Sequence, residues 1–101
     1  MASNPPSQSR LPVLVNLATN ERHTLNSNQI TIGRAPNHNI VLTDDEYASG
    51  NHAKVYWNNG WWIEDTKSSN GTRVNDIFIT EPQKLAPGNI IQIGHSKFRI
   101  E

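Results

Sequence analysis

The chain has 101 residues, 35% of them hydrophobic, and nine basic residues balance nine acidic ones, so the formal net charge is zero. This length suits one domain with a modest core. A neutral chain lacks a global positive field, and we therefore exclude nucleic acid and anionic membranes as partners. The absence of cysteine excludes disulfides and thiolate metal sites, and it fits a reducing, cytoplasmic setting.

The N-terminal segment differs in composition from the rest of the chain. Residues 1–10 are rich in Ser, Pro and Asn, which is typical of a flexible tail. They lack the apolar segment of a signal peptide, and no apolar stretch approaches the ~20 residues of a membrane helix. We therefore expect a flexible tail at 1–10 and one domain at 11–101.

Beyond the tail, short apolar runs are separated by turn residues every ~8–12 positions, which is typical of a β-sandwich or barrel. No segment shows the 3.6-residue apolar stripe of a helix, so we predict an all-β fold. The runs predicted as strands are 11–17, 24–25, 29–32, 40–42, 53–57, 61–63, 72–74, 77–79, 90–93 and 97–100.

Two turns stand out along this series. Asn59-Gly60 lies between two β-rich runs and predicts a hairpin with a type I′ turn, and Asn75-Asp76 predicts a second tight turn. Because side chains alternate along a strand, Trp61 is predicted in the core. Trp62 is then predicted to be partly exposed, opposite Tyr56 or a neighbour of it.

The last run also alternates. Phe98 and Ile100 are predicted to face inward, and Lys97 and Arg99 to face solvent. A strand that ends with the chain leads us to expect that the domain is complete at this end.

Three polar loops between the predicted strands carry the functional signal. They are Gly33-Arg34, Ser49-Gly50-Asn51-His52 and Ser68-Ser69-Asn70-Gly71-Thr72. A phosphorylated side chain has about −1.5 to −2 charges and three acceptor oxygens. Its binding site therefore needs a planar, permanently charged arginine and short neutral donors.

The loops supply these groups. Arg34 provides the cation, Ser49 and Ser69 provide hydroxyls, and Gly50 and Gly71 let the backbone approach a ligand closely. The side-chain amide of Asn70 donates and accepts at once, which suits a peptide main chain. This composition predicts a phosphate-binding surface.

In this order and spacing, the motifs resemble those of the forkhead-associated (FHA) domain, a β-sandwich that binds phosphothreonine peptides. The resemblance covers about residues 11–101 and implies eleven strands in two mainly antiparallel sheets, with the loops at one end. The motifs are Gly33-Arg34, Ser49-x-x-His52-Ala53, Asp65-x-x-Ser68-x-Asn70-Gly71-Thr72-x-Val74-Asn75 and Leu85-x-Pro87-Gly88-x-x-Ile91-x-Ile93-Gly94.

The resemblance also implies a role for each loop residue. Arg34 and Ser49 contact the phosphate, with Ser69 and the backbone N–H of Gly50 beside them, and Asn70 holds the peptide main chain. The residues expected to support the loops are Gly33, His52, Gly71 and Thr72.

One position departs from the family pattern, and another has an additional expected role. Gly50 stands where the family usually has Arg or Asn, so a side-chain contact is lost and only the backbone remains. Tyr47, two residues before Ser49, is expected to read the peptide side chain at position +3.

The sequence gives little support to an enzymatic or metal-binding function. Ser49 and His52 lack a third, orienting carboxylate and a nucleophile elbow, so we expect no catalysis and no cofactor. The histidines lack metal-ligand spacing, so we expect no metal. The alternative is a phosphorylation-independent scaffold that uses the loop end or exposed apolar residues such as Trp62 and 77–79.

The acidic run 44–46 is interpreted as a solvated part of a polar loop. If it borders the site, it should disfavour acidic peptides and favour basic residues near the phosphothreonine. The expected partner is a phosphothreonine-containing protein, bound by a monomeric domain.

Overall fold

A computed structural model describes residues 11–101, and the predicted tail at 1–10 lies outside them. Eleven strands and no helix occur in this part of the chain, which therefore holds no helix able to cross a membrane. The strands are β1 (Val13–Asn16), β2 (Arg22–Thr24), β3 (Gln29–Gly33), β4 (Ile40–Val41), β5 (Ala53–Trp57), β6 (Trp61–Asp65), β7 (Thr72–Val74), β8 (Ile77–Phe78), β9 (Gln83–Lys84), β10 (Ile90–Ile93) and β11 (Ser96–Ile100).

The strands form two sheets, in the orders β2-β1-β11-β10-β7-β8 and β4-β3-β5-β6-β9. Every pairing is antiparallel except that of β3 with β4. The predicted all-β sandwich of two mainly antiparallel sheets is confirmed. The first and last strands are neighbours, with Leu14 opposite Ile100, so both ends of the described chain belong to one sheet.

The core lies between the sheets and draws on both. Leu14, Ile91 and Phe98 of the first sheet and Ile32 and Ile63 of the second are all fully buried. In β6, β10 and β11 buried residues alternate with more exposed ones, as expected for strands with one face on a core. The core thereby holds the strand ends, and the loops that follow them, in fixed positions.

The alternation predicted for two strands is confirmed. In β11, Phe98 and Ile100 are buried while Lys97 and Arg99 are exposed. In β6, the adjacent tryptophans divide as predicted, the first buried in the core and the second half-buried opposite Tyr56.

The type I′ turn predicted at Asn59-Gly60 is wrong, although the hairpin exists. Trp57 pairs with Trp61, so three residues join the strands, as the predicted runs 53–57 and 61–63 imply, whereas a type I′ hairpin turn has two. Asn59 has a φ of 52° and Gly60 a φ of 143°. A type I′ turn needs a smaller positive φ at its second position, and the cross-strand tryptophan pair sets a longer loop.

The two-residue turn occurs instead at Asn75-Asp76, which joins β7 to β8. Val74 pairs with Ile77, and the two turn residues have φ of 51° and 68°, as a type I′ turn requires. This turn folds β8 back along β7 as the edge strand of its sheet. Phe78 is thereby placed beside Gly71, where an added Cβ atom would lie 2.8 Å from the phenyl ring.

We expect Phe98→Ala to lower the free energy of unfolding by about 3–5 kcal/mol, because it leaves a cavity in a fully buried position. Lys97→Ala on the same strand should change it by no more than about 0.5 kcal/mol, because this side chain is exposed. Urea denaturation of both variants measures the difference, and equal effects would contradict the assigned strand faces.

Candidate functional site

Three loops meet at one end of the sandwich and are joined by hydrogen bonds. The backbone N–H of Arg34 donates to the carbonyl oxygen of Ser49 at 2.9 Å, and that of Ala35 donates to the carbonyl oxygen of Gly50 at 3.2 Å. The N–H of Ser69 donates to the hydroxyl oxygen of Ser49 at 2.9 Å. Ser49 therefore contacts both other loops, and the three residues predicted to face a phosphate are immediate neighbours.

Polar groups of this cluster remain available to a ligand. The Arg34 side chain is exposed, and among residues 11–101 its guanidinium has neither an ion pair nor a hydrogen bond. The exposed Ser69 hydroxyl has no partner in the same part of the chain. The Ser49 hydroxyl accepts one hydrogen bond and keeps its own proton to donate. A permanently charged cation and two hydroxyls thus lie on adjacent, hydrogen-bonded loops.

The two glycines at this end meet different constraints. A Cβ atom on Gly33 would collide with the carbonyl oxygen of Gly50 and lie 2.7 Å from the His38 ring. Gly33 is therefore required by close contact between two loops. A Cβ atom on Gly50 would meet nothing within 4 Å, so this position has room for a side chain.

His38 supports the same contact and was missed from the sequence. Its Nε2 lies 2.6 Å from the carbonyl oxygen of Gly50, and since a carbonyl only accepts, this ring nitrogen donates. Together with the N–H of Ala35, it gives the Gly50 carbonyl oxygen two hydrogen-bond donors. No motif or spacing in the sequence indicates this role.

His52 is fully buried and bridges the second and third loops. Its Nδ1 accepts the N–H of Ser49 at 3.0 Å, so its Nε2 carries the proton and donates to the carbonyl oxygen of Gly71 at 2.9 Å. The structure therefore places this side chain where a loop-supporting residue was expected.

The third loop is shaped by Asp65, at the end of β6. Its carboxylate accepts hydrogen bonds from the N–H and hydroxyl of Ser68 and from the Thr72 hydroxyl, the last at 2.7 Å. Ser68 Oγ in turn accepts the N–H of Gly71 at 2.9 Å. Burial raises the pKa of Asp65, but the bonds from Ser68 and Thr72 outweigh it and hold the pKa below its ordinary value of 3.8.

Asn70 lies exposed at the tip of this loop. Its side-chain nitrogen donates to the carbonyl oxygen of Tyr47 at 2.8 Å, which leaves its carbonyl oxygen and second N–H for a ligand. The Tyr47 side chain is 49% exposed, and its ring stacks on that of His95 with the centroids 3.9 Å apart. Tyr47 thus lies beside the residue predicted to hold the peptide.

The prediction that the acidic run 44–46 is solvated is wrong for its central residue, Asp45. Asp45 accepts hydrogen bonds from the N–H groups of Tyr47 at 3.0 Å and His95 at 2.9 Å, and from the hydroxyl of Ser96 at 2.7 Å. Burial raises its pKa, but the Ser96 hydroxyl and both N–H groups lower it overall. Asp45 therefore joins the segment that precedes the second loop to the turn between β10 and β11.

A groove of about 230 Å³ opens beside Asn70. Its walls include Tyr47, Gln92, Phe78, which the sequence offered only for the alternative scaffold, and Arg73, which the sequence reasoning missed. The guanidinium carbon of Arg73 lies 4.3 Å from the centroid of the Phe78 ring. Strand alternation is the signal that was available, because Arg73 lies between the buried residues Thr72 and Val74.

The fold and this loop cluster define a β-sandwich recognition module whose exposed polar groups lie at one end. The sequence profile of the FHA domain matches residues 30–94. The chain is 35% identical over 83 residues to the FHA domain-containing protein FhaB of Mycobacterium tuberculosis, covering 81% of this chain and 53% of that protein. The chain belongs to the FHA domain family.

Solved structures agree with this assignment. The structure of Mycobacterium tuberculosis EmbR in complex with a low-affinity phosphopeptide has a TM-score of 0.88 and 27% identity, covering 96% of this chain and 26% of that one. A structure from a study of phosphothreonine-dependent FHA domain interactions has a TM-score of 0.83 and 26% identity, covering 91% and 96%. The chain spans about half the length of the curated FhaB relatives that it matches.

We expect the free energy of unfolding to fall as the pH drops from about 5 to 3, because the lowered pKa values of Asp65 and Asp45 mean that the unfolded chain binds more protons. Asp65→Asn should cost about 1–2 kcal/mol at pH 7 and should make this decline shallower. Urea denaturation across this pH range is the measurement. A decline as steep as that of the unmodified chain would show that Asp65 contributes nothing to it.

Proposed function

We propose that residues 11–101 form a phosphothreonine-dependent peptide-binding domain that acts as an adaptor and has no catalytic activity of its own. The observation that carries this proposal is the unpaired guanidinium of Arg34, on a loop whose backbone is hydrogen-bonded to Ser49, which in turn contacts Ser69. Within the described residues no carboxylate neutralises this cation, so an anionic ligand would supply its counter-charge.

Each exposed group has a distinct part in this proposal. Arg34 binds the phosphate as a planar cation, Ser49 and Ser69 donate from their hydroxyls, and Gly50 donates its backbone N–H. Asn70 holds the peptide main chain with the half of its amide that Tyr47 does not use.

The similar structures support this reading. One of them contains a phosphopeptide and another concerns phosphothreonine-dependent FHA domain interactions, both at more than 25% identity to this chain. A preference for threonine over serine would gain about 0.8 kcal/mol, roughly fourfold, from burial of one methyl group. We further propose that the domain is monomeric and cytoplasmic and that its partner is a phosphorylated protein.

A second candidate function is a scaffold that binds its partner without phosphorylation. It is favoured by the exposed apolar side chains of the edge strand β8, where Ile77 is 70% and Phe78 is 53% exposed. Large exposed apolar side chains on an edge strand are suited to contacts with another protein.

We expect Arg34→Ala to weaken binding of phosphothreonine peptides by at least about tenfold, because it removes the cation from the phosphate site. Ser49→Ala should weaken binding less, since it removes a neutral donor together with the loop contact to Ser69. Fluorescence anisotropy with a phosphothreonine peptide library measures both effects, with unphosphorylated peptides as controls.

The outcome separates the two candidate functions. Equal binding of phosphorylated and unphosphorylated peptides, together with unchanged binding by Arg34→Ala, would overturn the phosphothreonine proposal and favour the scaffold. Added salt should weaken phosphate-dependent binding, because the contact is exposed at the loop end.

We expect Gly50→Asn to strengthen phosphopeptide binding by about three- to tenfold, because the added amide supplies a hydrogen bond at a position with open space. Gly33→Asn is the matched control, since its Cβ atom would collide with the carbonyl oxygen of Gly50 and should weaken binding. Isothermal titration calorimetry of both variants tests this, and weaker binding by Gly50→Asn would show that the phosphate does not lie near this residue.

A further inference from the structure

We propose that Arg73 binds a carboxylate side chain of the phosphorylated partner, so that the domain selects an acidic residue at one position flanking the phosphothreonine. This inference rests on the proposed function and adds a second charged contact to it. The structural feature is the groove beside Asn70, whose volume is about 230 Å³.

Strand geometry directs Arg73 away from the core and into this groove. Its neighbours on β7, Thr72 and Val74, are buried, so alternation places Arg73 on the outer face of the sheet. Phe78 is its cross-strand partner on β8, and Gln92 is its partner on β10. Both partners line the groove as well.

The guanidinium is held in place by an aromatic ring instead of a carboxylate. Arg73 lies over the Phe78 ring at 4.3 Å, and its N–H donors have no hydrogen-bond partner among residues 11–101, so they are free for a planar acceptor. The ring itself is held against Gly71, where there is space for glycine but not for a Cβ atom. The ring contact therefore holds the guanidinium beside the groove, where a carboxylate can accept from its N–H donors.

The positive charge of Arg73 has no anionic partner within residues 11–101. Two other arginines in this range, Arg22 and Arg99, form salt bridges with Glu101. None of the residues that line the groove carries a carboxylate. A half-buried cation without a counter-charge favours an anionic ligand.

The size and place of the groove indicate which ligand this is. Pockets for small molecules usually measure about 300–1,000 Å³, and a smaller groove suits a single side chain. Asn70 belongs both to this groove and to the loop that contacts Ser49 through Ser69. A peptide held by Asn70 therefore passes the groove, and a side chain of that same peptide can reach Arg73.

Negative charge, opposite in sign to that of Arg73, lies on the far side of the stacked Tyr47 and His95 rings. There a separate groove of about 590 Å³ is lined by Asp44 and Glu46, which are exposed. These carboxylates would repel an acidic side chain, whereas Arg73 on the near side attracts one. The acidic preference is thus confined to the near groove.

The test is a positional scan of phosphothreonine peptides. Asp, Glu, Gln, Leu, Ala or Lys is placed at each of the five positions on either side, and binding is measured by fluorescence anisotropy. Asp and Glu should bind about three- to tenfold more tightly than Gln at one position. Arg73→Gln should abolish this ratio while phosphate dependence remains, and Arg73→Glu should reverse it in favour of Lys.

Lys84→Gln is the matched control, because it removes one charge from β9 at the edge of the other sheet and should leave the ratio intact. Equal binding of Glu, Gln and Lys at all positions, or an acidic preference that survives Arg73→Gln, would overturn this inference alone. Tighter binding of Leu than of Glu would assign the groove to apolar side chains and overturn it too. If phosphorylation has no effect with any peptide, the proposed function fails first and this inference fails with it.

Discussion

The loop surface depends on the buried imidazole of His52. Its two ring nitrogens bond to the backbone of Ser49 and Gly71, so that one side chain fixes the second loop against the third. The carbonyl oxygen of Ser49 accepts the backbone N–H of Arg34, and this hydrogen bond fixes the first loop against the second. Because these bonds use backbone groups and a buried ring, the exposed side chains remain available for a ligand.

The charge of the chain is neutral in total but uneven at this end. Arg34 and Arg73 have no carboxylate partner within the described residues. Arg73 lines the groove beside Asn70, and the backbone of Arg34 bonds to Ser49, whose hydroxyl accepts the N–H of Ser69 in the same loop as Asn70. Asp45 is partly buried and accepts three hydrogen bonds, from the backbone of Tyr47 and His95 and from the Ser96 hydroxyl. Net charge therefore excludes a global field, while the local arrangement of unpaired cations suits a small anionic ligand.

Sequence reasoning succeeded where a feature depends on local periodicity. The alternation of Phe98 and Lys97 and the division between Trp61 and Trp62 follow from the two-residue repeat of a strand. It failed at Asn59-Gly60, where the turn type depends on backbone angles, and the φ of 143° at Gly60 does not fit the predicted type I′ turn. It also failed at Asp45, whose hydroxyl partner Ser96 lies 51 residues further along the chain.

The sequence by itself determined the all-β class, the core faces and the three polar loops, because strand alternation and turn chemistry act between near neighbours. Only the tertiary structure decided how those loops meet. The contact of His38 with Gly50, the stacking of Arg73 on Phe78 and the open space at Gly50 arise between segments that the sequence leaves apart. Their geometry is set by the packing of two sheets on one core, which no local pattern encodes.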